Sequence, residues 1–284
     1  MLTASPREFP ISPRQFDHIR TIVKERTGIH LSESKFEMVY SRLAKRLRAL
    51  GLPNFTEYLR LLDGSDPAEL AEFVSAITTN LTHFFREEHH FDFLGEELLP
   101  ALLEDRTRGR PIRIWSAGCS VGMEPYSIAM VAHEVVPEYR LPDLEIIASD
   151  IDRRVLEEAR RGVYSIERAE SISSARLRRW FERGVGRNEG AVRVRDSIRH
   201  AVEFVESSLM DRGAVSGPFD AIFCRNVLIY FDVETQRQVL ARFADQLDLG
   251  GVLFLGHSES MYRKSDRYDF LGKTTFRKRG RAEA

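Results

Sequence analysis

From Pro111 onward the apolar residues fall into short runs, at 112–116, 144–149, 219–224 and 252–256, with helical stretches between them. That alternation is the mark of a parallel sheet covered by helices, and it restricts the second part of the chain to an α/β fold. It breaks between Tyr164 and Glu206. There Ala191-Val192-Arg193-Val194-Arg195 and the segment 200–205, after a glycine-rich turn, are expected to pair as two antiparallel strands of a small inserted subdomain. The basic tail from Phe276 shows no apolar periodicity and is expected to fray.

The first hundred residues follow helical periodicity instead. Ser12, Pro13 and Gln15 form an N-cap, an N1 proline and a capping-box glutamine, and Gly28 supplies the stop. A second helix begins near Ser32 with an inward stripe of Phe36, Val39, Leu43, Leu47 and Leu50. Beside that stripe Lys35, Arg42, Lys45 and Arg46 make one basic face, which is either a solvated surface or a docking surface. A shorter helix spans 56–62, and Asp66, Pro67 and Glu69 then repeat the cap, proline and capping-box set ahead of Leu70, Phe73, Val74 and Ile77. Polar groups in Thr79-Asn80-Leu81-Thr82-His83 interrupt the periodicity before another amphipathic helix carries Phe91, Leu94, Leu98 and Leu102. The organisation read from this is a helical domain over 1–78, a linker with connecting helix over 79–110, and an α/β domain over 111–284 with its insertion at about 165–206.

Composition narrows the class. Lys plus Arg (42) nearly cancels Asp plus Glu (43), which disfavours a globally basic nucleic-acid binder. The start lacks the apolar core of a signal peptide, and the most apolar windows end well short of the roughly 20 residues a membrane-spanning helix needs. With only two cysteines, Cys119 and Cys224, the expectation is a cytoplasmic protein with two unlinked thiols and no membrane insertion.

Three strand ends carry candidate chemistry. The first runs into Ala117-Gly118-Cys119-Ser120-Val121-Gly122, where glycines let a ligand approach the backbone and the following helix offers free N–H groups. The spacing is neither a dinucleotide fingerprint nor a P-loop. The second ends in Ser149-Asp150-Ile151-Asp152: an acid there suits a ribose diol, and either aspartate would equally serve as a helix N-cap. Since ligands of parallel sheets bind at the carboxyl ends of strands, Gly118, Asp150 and Cys224-Arg225-Asn226 are expected to converge on one crevice that takes a nucleoside.

Taken in order, Thr79-Asn80-Leu81-Thr82 with Phe84-Phe85-Arg86, Trp115-Ser116-Ala117-Gly118-Cys119-Ser120, Glu124-Pro125-Tyr126-Ser127, Ala148-Ser149-Asp150-Ile151-Asp152, the segment 219–226 and Gly256-His257-Ser258-Glu259 resemble the chemotaxis receptor methyltransferase family, CheR, over nearly the whole chain. The resemblance implies a Rossmann-like sheet of the S-adenosylmethionine-dependent methyltransferase type with a small antiparallel β-subdomain inserted, preceded by an all-α N-terminal domain. It implies S-adenosylmethionine as cofactor, S-adenosylhomocysteine as product, and glutamate side chains of methyl-accepting chemotaxis receptors as acceptors. By position, Asn80, Thr82 and Arg86 match the linker motif over the cofactor, Glu124 the acid opening the first helix, Asp150 the ribose ligand, and Arg225 and Asn226 the pair near the cofactor's amino-acid end. The family's Asn-Leu pair beside the adenine becomes Ser208-Leu209, a departure that replaces an amide by a hydroxyl. Met123 stands where many members carry Glu. The family further implies that the insertion's edge strand pairs with a receptor C-terminal peptide, as the turn glycines Gly184, Gly186 and Gly190 allow, although any hairpin turn needs glycine. A monomer is expected.

These residue types suit methyl transfer to a carboxylate. A glutamate, with a pKa of about 4.3, is already ionised at neutral pH and needs no general base. Positioning and exclusion of water are then the available sources of rate. Arg86, pairing with a carboxylate, and Tyr230, hydrogen-bonding the acceptor, are the candidate catalytic residues, while Tyr230 fits core packing equally well. Arg42, Lys45 and Arg46 gain a reading as a receptor-docking face. Methylation of a nucleic-acid amine is disfavoured, because no N/D-P-P-Y segment is present. A non-catalytic S-adenosylmethionine-sensing module is the second reading. Gly256-His257-Ser258-Glu259-Ser260 lacks the last glycine of a nucleophile elbow. Glu87, Glu88, His89 and His90 lack a metal-site spacing and are read as a solvated helix turn, with no metal expected.

Overall fold

The computed structural model describes residues 7–64, 66–105, 109–211, 213–259 and 266–280. They divide into two units: one extends to Thr79 and includes Tyr230–Asp232, and the other comprises Asn80–Ile229 and the chain from Val233.

The first unit is helical. Helix α1 (Pro13–Thr27) opens on the full capping box of Ser12 and Gln15 and closes at Gly28, whose φ of 77° is the left-handed conformation a C-cap glycine supplies. After a 3-10 turn (Glu33–Lys35) come α2 (Phe36–Leu50), α3 (Phe55–Asp63) and α4 (Pro67–Ile77). Ile19, Val23, Val39, Leu43, Leu47, Phe55, Tyr58 and Phe73 are buried together. Leu50, expected on the inward stripe, is instead 37% exposed, because it is the last residue of α2 before Gly51 turns the chain.

Two further expectations are corrected here. Glu69 does not complete a capping box; Asp66 caps α4 alone through the Ala68 N–H at 3.0 Å. Glu69 is 4% exposed and accepts from the Arg46 guanidinium (2.8 Å from Nε) and the Tyr58 hydroxyl (3.0 Å). Charge-assisted bonds of this kind outweigh a single backbone cap. Arg42 donates to the carbonyls of Ile77 (2.7 Å) and Thr78 (2.8 Å), satisfying the open C-terminal end of α4. The basic face is thus two arginines committed inside the unit and two exposed lysines, Lys35 and Lys45. The unit also includes an antiparallel bridge between Ile29 and Phe231, with the His30 N–H donating to the Tyr230 carbonyl at 2.8 Å.

The second unit starts with α5 (His89–Phe93), a π turn (Leu94–Leu98) and α6 (Leu99–Glu104), with Phe91, Leu94 and Leu98 buried as their spacing predicts. Strand β1 (Ile112–Ala117) leads into α7 (Met123–Val135), β2 (Leu144–Asp150) into α8 (Arg153–Arg161). Then follow β3 (Val163–Ser165), α9 (Ser174–Trp180), β4 (Phe181–Arg183), β5 (Ala191–Val194), α10 (Asp196–Arg199) and β6 (Val202–Glu206). The chain closes with β7 (Phe219–Cys224), α11 (Val233–Gln246), β8 (Leu247–Leu255), β9 (Tyr268–Gly272) and β10 (Thr275–Lys278). The main sheet has the order β6-β2-β1-β7-β8-β10-β9, parallel as far as β8 and antiparallel beyond it.

The inserted antiparallel sheet is present, but it has the order β3-β5-β4. The segment 200–205 is not its second strand. Residues Val202–Glu206 instead pair in parallel with Ile146–Asp150 at the edge of the main sheet, where Val202 is buried. The short helix α10 redirects the chain after β5, and a parallel partner some fifty residues away leaves no local hairpin signal. The tail is likewise corrected: Phe276 is 7% exposed within β10, packed on the Phe270 ring at 5.2 Å, and only residues 281–284 of the expected frayed end lie outside the described chain. No helix among the described residues is long and apolar enough to cross a membrane.

Candidate functional site

Strand β1 lies between β2 and β7, so the loops leaving its carboxyl end and those of its neighbours meet at one edge of the sheet. In the loop after β1, Gly118 (φ 81°), Ser120 (φ 52°) and Gly122 (φ 87°) are all left-handed. A Cβ on Gly118 would stand 2.6 Å from a Val227 methyl carbon, which makes glycine obligatory there. The N–H groups of Gly118 and Cys119 donate to the Ser149 carbonyl at 2.8 and 2.9 Å, tying this loop to the end of β2.

Asp150 accepts the Ser120 N–H (2.8 Å) and the Asp152 N–H (2.9 Å), one on each carboxylate oxygen. Burial pushes its carboxyl up to about 6, against the opposing pull of those backbone donors. Asp152 is the N-cap, accepting from the Arg154 N–H at 3.0 Å, and also holds the Asn80 amide at 3.0 Å. The alternatives left by the sequence are thereby divided: Asp152 caps α8, and Asp150 stands at the strand end with lone pairs remaining on both oxygens.

The linker is fastened across the loop after β1. The Ser120 hydroxyl donates to the Asn80 carbonyl (3.4 Å), and the Phe85 N–H to Ser127 Oγ (3.0 Å). Phe84 is fully buried, edge-on to Tyr164 and Phe181 at 5.1 and 5.3 Å. Phe85 and Glu87 both take positive φ, 52° and 56°, a conformation that costs non-glycine residues energy and is kept only where the surroundings impose it. Between them Arg86 is half-buried and donates to the Leu81 carbonyl at 3.1 Å. Thr82 is half-buried on the same segment.

At the end of β7, Arg225 is only 6% exposed, lies 5.2 Å over the Phe91 ring and donates to the Arg86 carbonyl. Its Nε is 3.6 Å from a Glu124 oxygen and 3.8 Å from Glu87 Oε2. Arg225 Nε and Nη1 and Glu87 Oε2 are buried without a hydrogen-bond partner. Glu124 accepts the Ser116 hydroxyl at 2.7 Å, and burial pushes its carboxyl up although Arg225 pulls the other way. Glu259, 4% exposed, joins two strand ends: one oxygen accepts the N–H groups of Gly256 (2.6 Å) and Asn226 (2.8 Å), the other that of Ile229 (3.3 Å). This holds Asn226 in its left-handed conformation, φ 59°.

The reading of Glu87 to His90 as a solvated turn is corrected. His90 is fully buried against Phe254, with Nε2 2.9 Å from the Lys273 carbonyl, and burial followed by the nearby Arg225 charge pushes its pKa down to about 3. Glu87, His89 and His90 approach to a spacing that would admit a cation, with the Arg225 guanidinium as their immediate neighbour. Ser208 spends its hydroxyl oxygen on the Met210 N–H (3.1 Å), and the Leu209 carbonyl accepts from Arg242 (2.7 Å). Tyr230 ends the 3-10 turn Leu228–Tyr230 and is counted with the helical unit. Cys119 and Cys224 are free and buried.

Asp150, Glu124, Glu87 and Arg225 with two unassigned N–H groups suit one ligand bearing a diol, a cationic group and a carboxylate. An amino acid joined to a nucleoside has these features, and S-adenosylmethionine fits the residues present. Glu87 and Glu259 were not singled out from sequence as site residues; the only signals were Glu87 following Arg86 in the linker motif and Glu259 closing Gly256-His257-Ser258-Glu259.

Two family models match the chain: "CheR methyltransferase, all-alpha domain" over residues 14–78 and "CheR methyltransferase, SAM binding domain" over residues 80–277. Among curated proteins the chain is similar to "Chemotaxis protein methyltransferase 2" of Pseudomonas aeruginosa, 44% identical over 95% of both chains. It is also similar to the "Chemotaxis protein methyltransferase" of Salmonella typhimurium and that of Escherichia coli, each 42% identical over 97% of this chain and 94% of the relative.

Proposed function

The chain belongs to the CheR methyltransferase family and carries its S-adenosylmethionine-binding domain, and on that premise we propose that it methylates glutamate side chains of chemotaxis receptors in the cytoplasm, as a monomer. The observation that carries this reading is the buried Arg225 guanidinium, with two unassigned donors, set beside Glu87 and Glu124. A guanidinium fork orients a carboxylate, and the flanking acids favour a cation next to it.

In this reading Arg225 and Asn226 hold the amino-acid end of the cofactor, Asp150 the ribose, Ser208 and Leu209 the adenine side, and Asn80, Thr82 and Arg86 close over it. When bound, S-adenosylmethionine supplies a sulfonium methyl that a carboxylate oxygen takes as the sulfur–carbon bond breaks and the electron pair stays on sulfur. The protein's own task is to orient the acceptor and exclude water, since the glutamate is already ionised. Arg86 steadies a carboxylate through its fork; among the described residues no carboxylate pairs with it. Tyr230 is proposed to hydrogen-bond the acceptor. The domain plan is 1–78 helical, 79–110 linker and 111–284 catalytic. Lys45 is the residue of α2 left for receptor docking, and the inserted sheet is proposed to receive a receptor C-terminal peptide.

Incubation with methyl-labelled S-adenosylmethionine and a panel of receptor cytoplasmic fragments, followed by alkali, is expected to release labelled methanol. The label is expected to vanish in Arg86→Ala. Binding of the cofactor by calorimetry with no labelled fragment would favour a sensing module instead.

A further inference from the structure

The side chains of Glu87, His89 and His90 bring one ligand atom each within 4.8 Å of one another. His90 is fully buried, and its Nε2 donates to the Lys273 carbonyl at 2.9 Å. Full burial keeps the ring neutral, so Nδ1 carries a lone pair. That nitrogen faces Glu87 Oε2 across 3.6 Å, and both atoms are buried without a hydrogen-bond partner. The gap is too long for a hydrogen bond, and two lone pairs repel. Glu87 Oε1 is meanwhile committed to the His257 N–H at 2.9 Å, which fixes the carboxylate in this orientation.

The surroundings match those of a metal ligand set. An imidazole that binds a metal through one nitrogen almost always donates its other N–H to a carbonyl, carboxylate or water, which sets the ring's orientation. His89 Nε2 lies 3.1 Å from the same Lys273 carbonyl that His90 uses. This carbonyl belongs to the two-residue turn between β9 and β10, in which Lys273 and Thr274 are both left-handed, with φ 46° and 57°. Hairpin turns of this kind ordinarily carry Asn-Gly, and positive φ at a β-branched threonine is strain that persists only where the surroundings impose it. Nitrogen and oxygen ligands about 2.0–2.1 Å from a tetrahedral zinc ion stand about 3.4 Å apart, close to the gap between Nδ1 and Oε2. The Arg225 charge, 3.8 Å from Glu87 Oε2, is offset by Glu124 at 3.6 Å.

We propose that Glu87, His89 and His90 bind a transition-metal ion of the zinc class, and that the bound ion excludes the cofactor. Two imidazoles and one carboxylate suit zinc and its neighbours, whereas calcium and magnesium take oxygen ligands. The exclusion rests on the reading given above, in which Glu87 is one of the acids flanking the cofactor's cationic group. A dication on Glu87 occupies that acid and adds positive charge beside it.

The test is a titration of the full chain with Zn²⁺ against a chromophoric chelator. One Zn²⁺ per chain is expected in the wild type, with affinity at least about tenfold weaker in His89→Gln and in Glu87→Gln, each with the circular dichroism of the wild type. No binding, or equal affinity in the wild type and both variants, overturns the site. With S-adenosylmethionine at about ten times its own Kd, the apparent Kd for Zn²⁺ is expected to rise about tenfold, because ligands that exclude each other compete by mass action. An unchanged value overturns the exclusion. Failure of S-adenosylmethionine to bind the metal-free wild type would overturn the cofactor reading instead, and the Zn²⁺ affinities of the variants would still decide the site.

Discussion

Replacing Arg46 by methionine separates a folding role of helix α2 from a docking role. In the wild type Glu69, 4% exposed, is held by Arg46 through Nε at 2.8 Å and Nη2 at 2.5 Å, and by the Tyr58 hydroxyl at 3.0 Å. Arg46→Met keeps most of the side-chain volume but strands the carboxylate. Breaking a buried pair by removing one partner costs about 3–5 kcal/mol, because the remaining charge is left uncompensated. For a helical unit of this size that is a fall in Tm of about 12 °C or more. Urea unfolding followed by circular dichroism at pH 7 measures the loss. A deficit under about 1 kcal/mol refutes the burial argument. The exposed Lys45 is the clean docking probe. Lys45→Glu is expected to change stability by less than about 0.5 kcal/mol while raising KM for the receptor fragment, most strongly at low salt.

Two other outcomes follow from the strand ends. On the proposed role of Asp150, ribose hydroxyls would donate to its ionised form, so cofactor affinity is expected to be full above its pKa of about 6 and to fall below it, by up to about tenfold per pH unit; calorimetry from pH 5 to 8 checks this, and a profile in Asp150→Asn as steep as the wild type's would remove Asp150 as the cause. Glu259→Gln replaces one accepting oxygen by an N–H₂ facing backbone donors, so the Asn226 turn loosens. A rise in cofactor Kd of about tenfold with cooperative unfolding retained is expected, and an unchanged Kd would show that the clamp does not position the site.

The parallel strands were readable because each is a compact apolar run, and the capping of α1 because its signals are local in sequence. What escaped was settled over distance. The apolar residues of β6 read as a hairpin partner for β5 until Ile146–Asp150 supplied a parallel register. Phe276 looked like tail until β8 and the Phe270 ring gave it a place. Glu69 fitted a capping box, and only its contact with Arg46 and Tyr58 shows the stronger bond. In the site, positions such as Asp150 and Arg225 were legible because they end strands. The Glu87 and Glu259 contacts depend on left-handed backbone at Glu87 and Asn226, which residue identity does not announce.

The passage of Tyr230–Asp232 through the helical unit ties the two parts of the gene together. The loop that leaves β7 contributes the antiparallel partner of Ile29 before it enters α11. A single cut between Thr79 and Asn80 therefore yields neither unit whole: the shorter piece lacks Phe231, and the longer retains a carbonyl, that of Tyr230, whose donor His30 has been removed. A foreign helical module placed ahead of this sheet would therefore have to offer the loop after β7 the same antiparallel partner that Ile29 now provides.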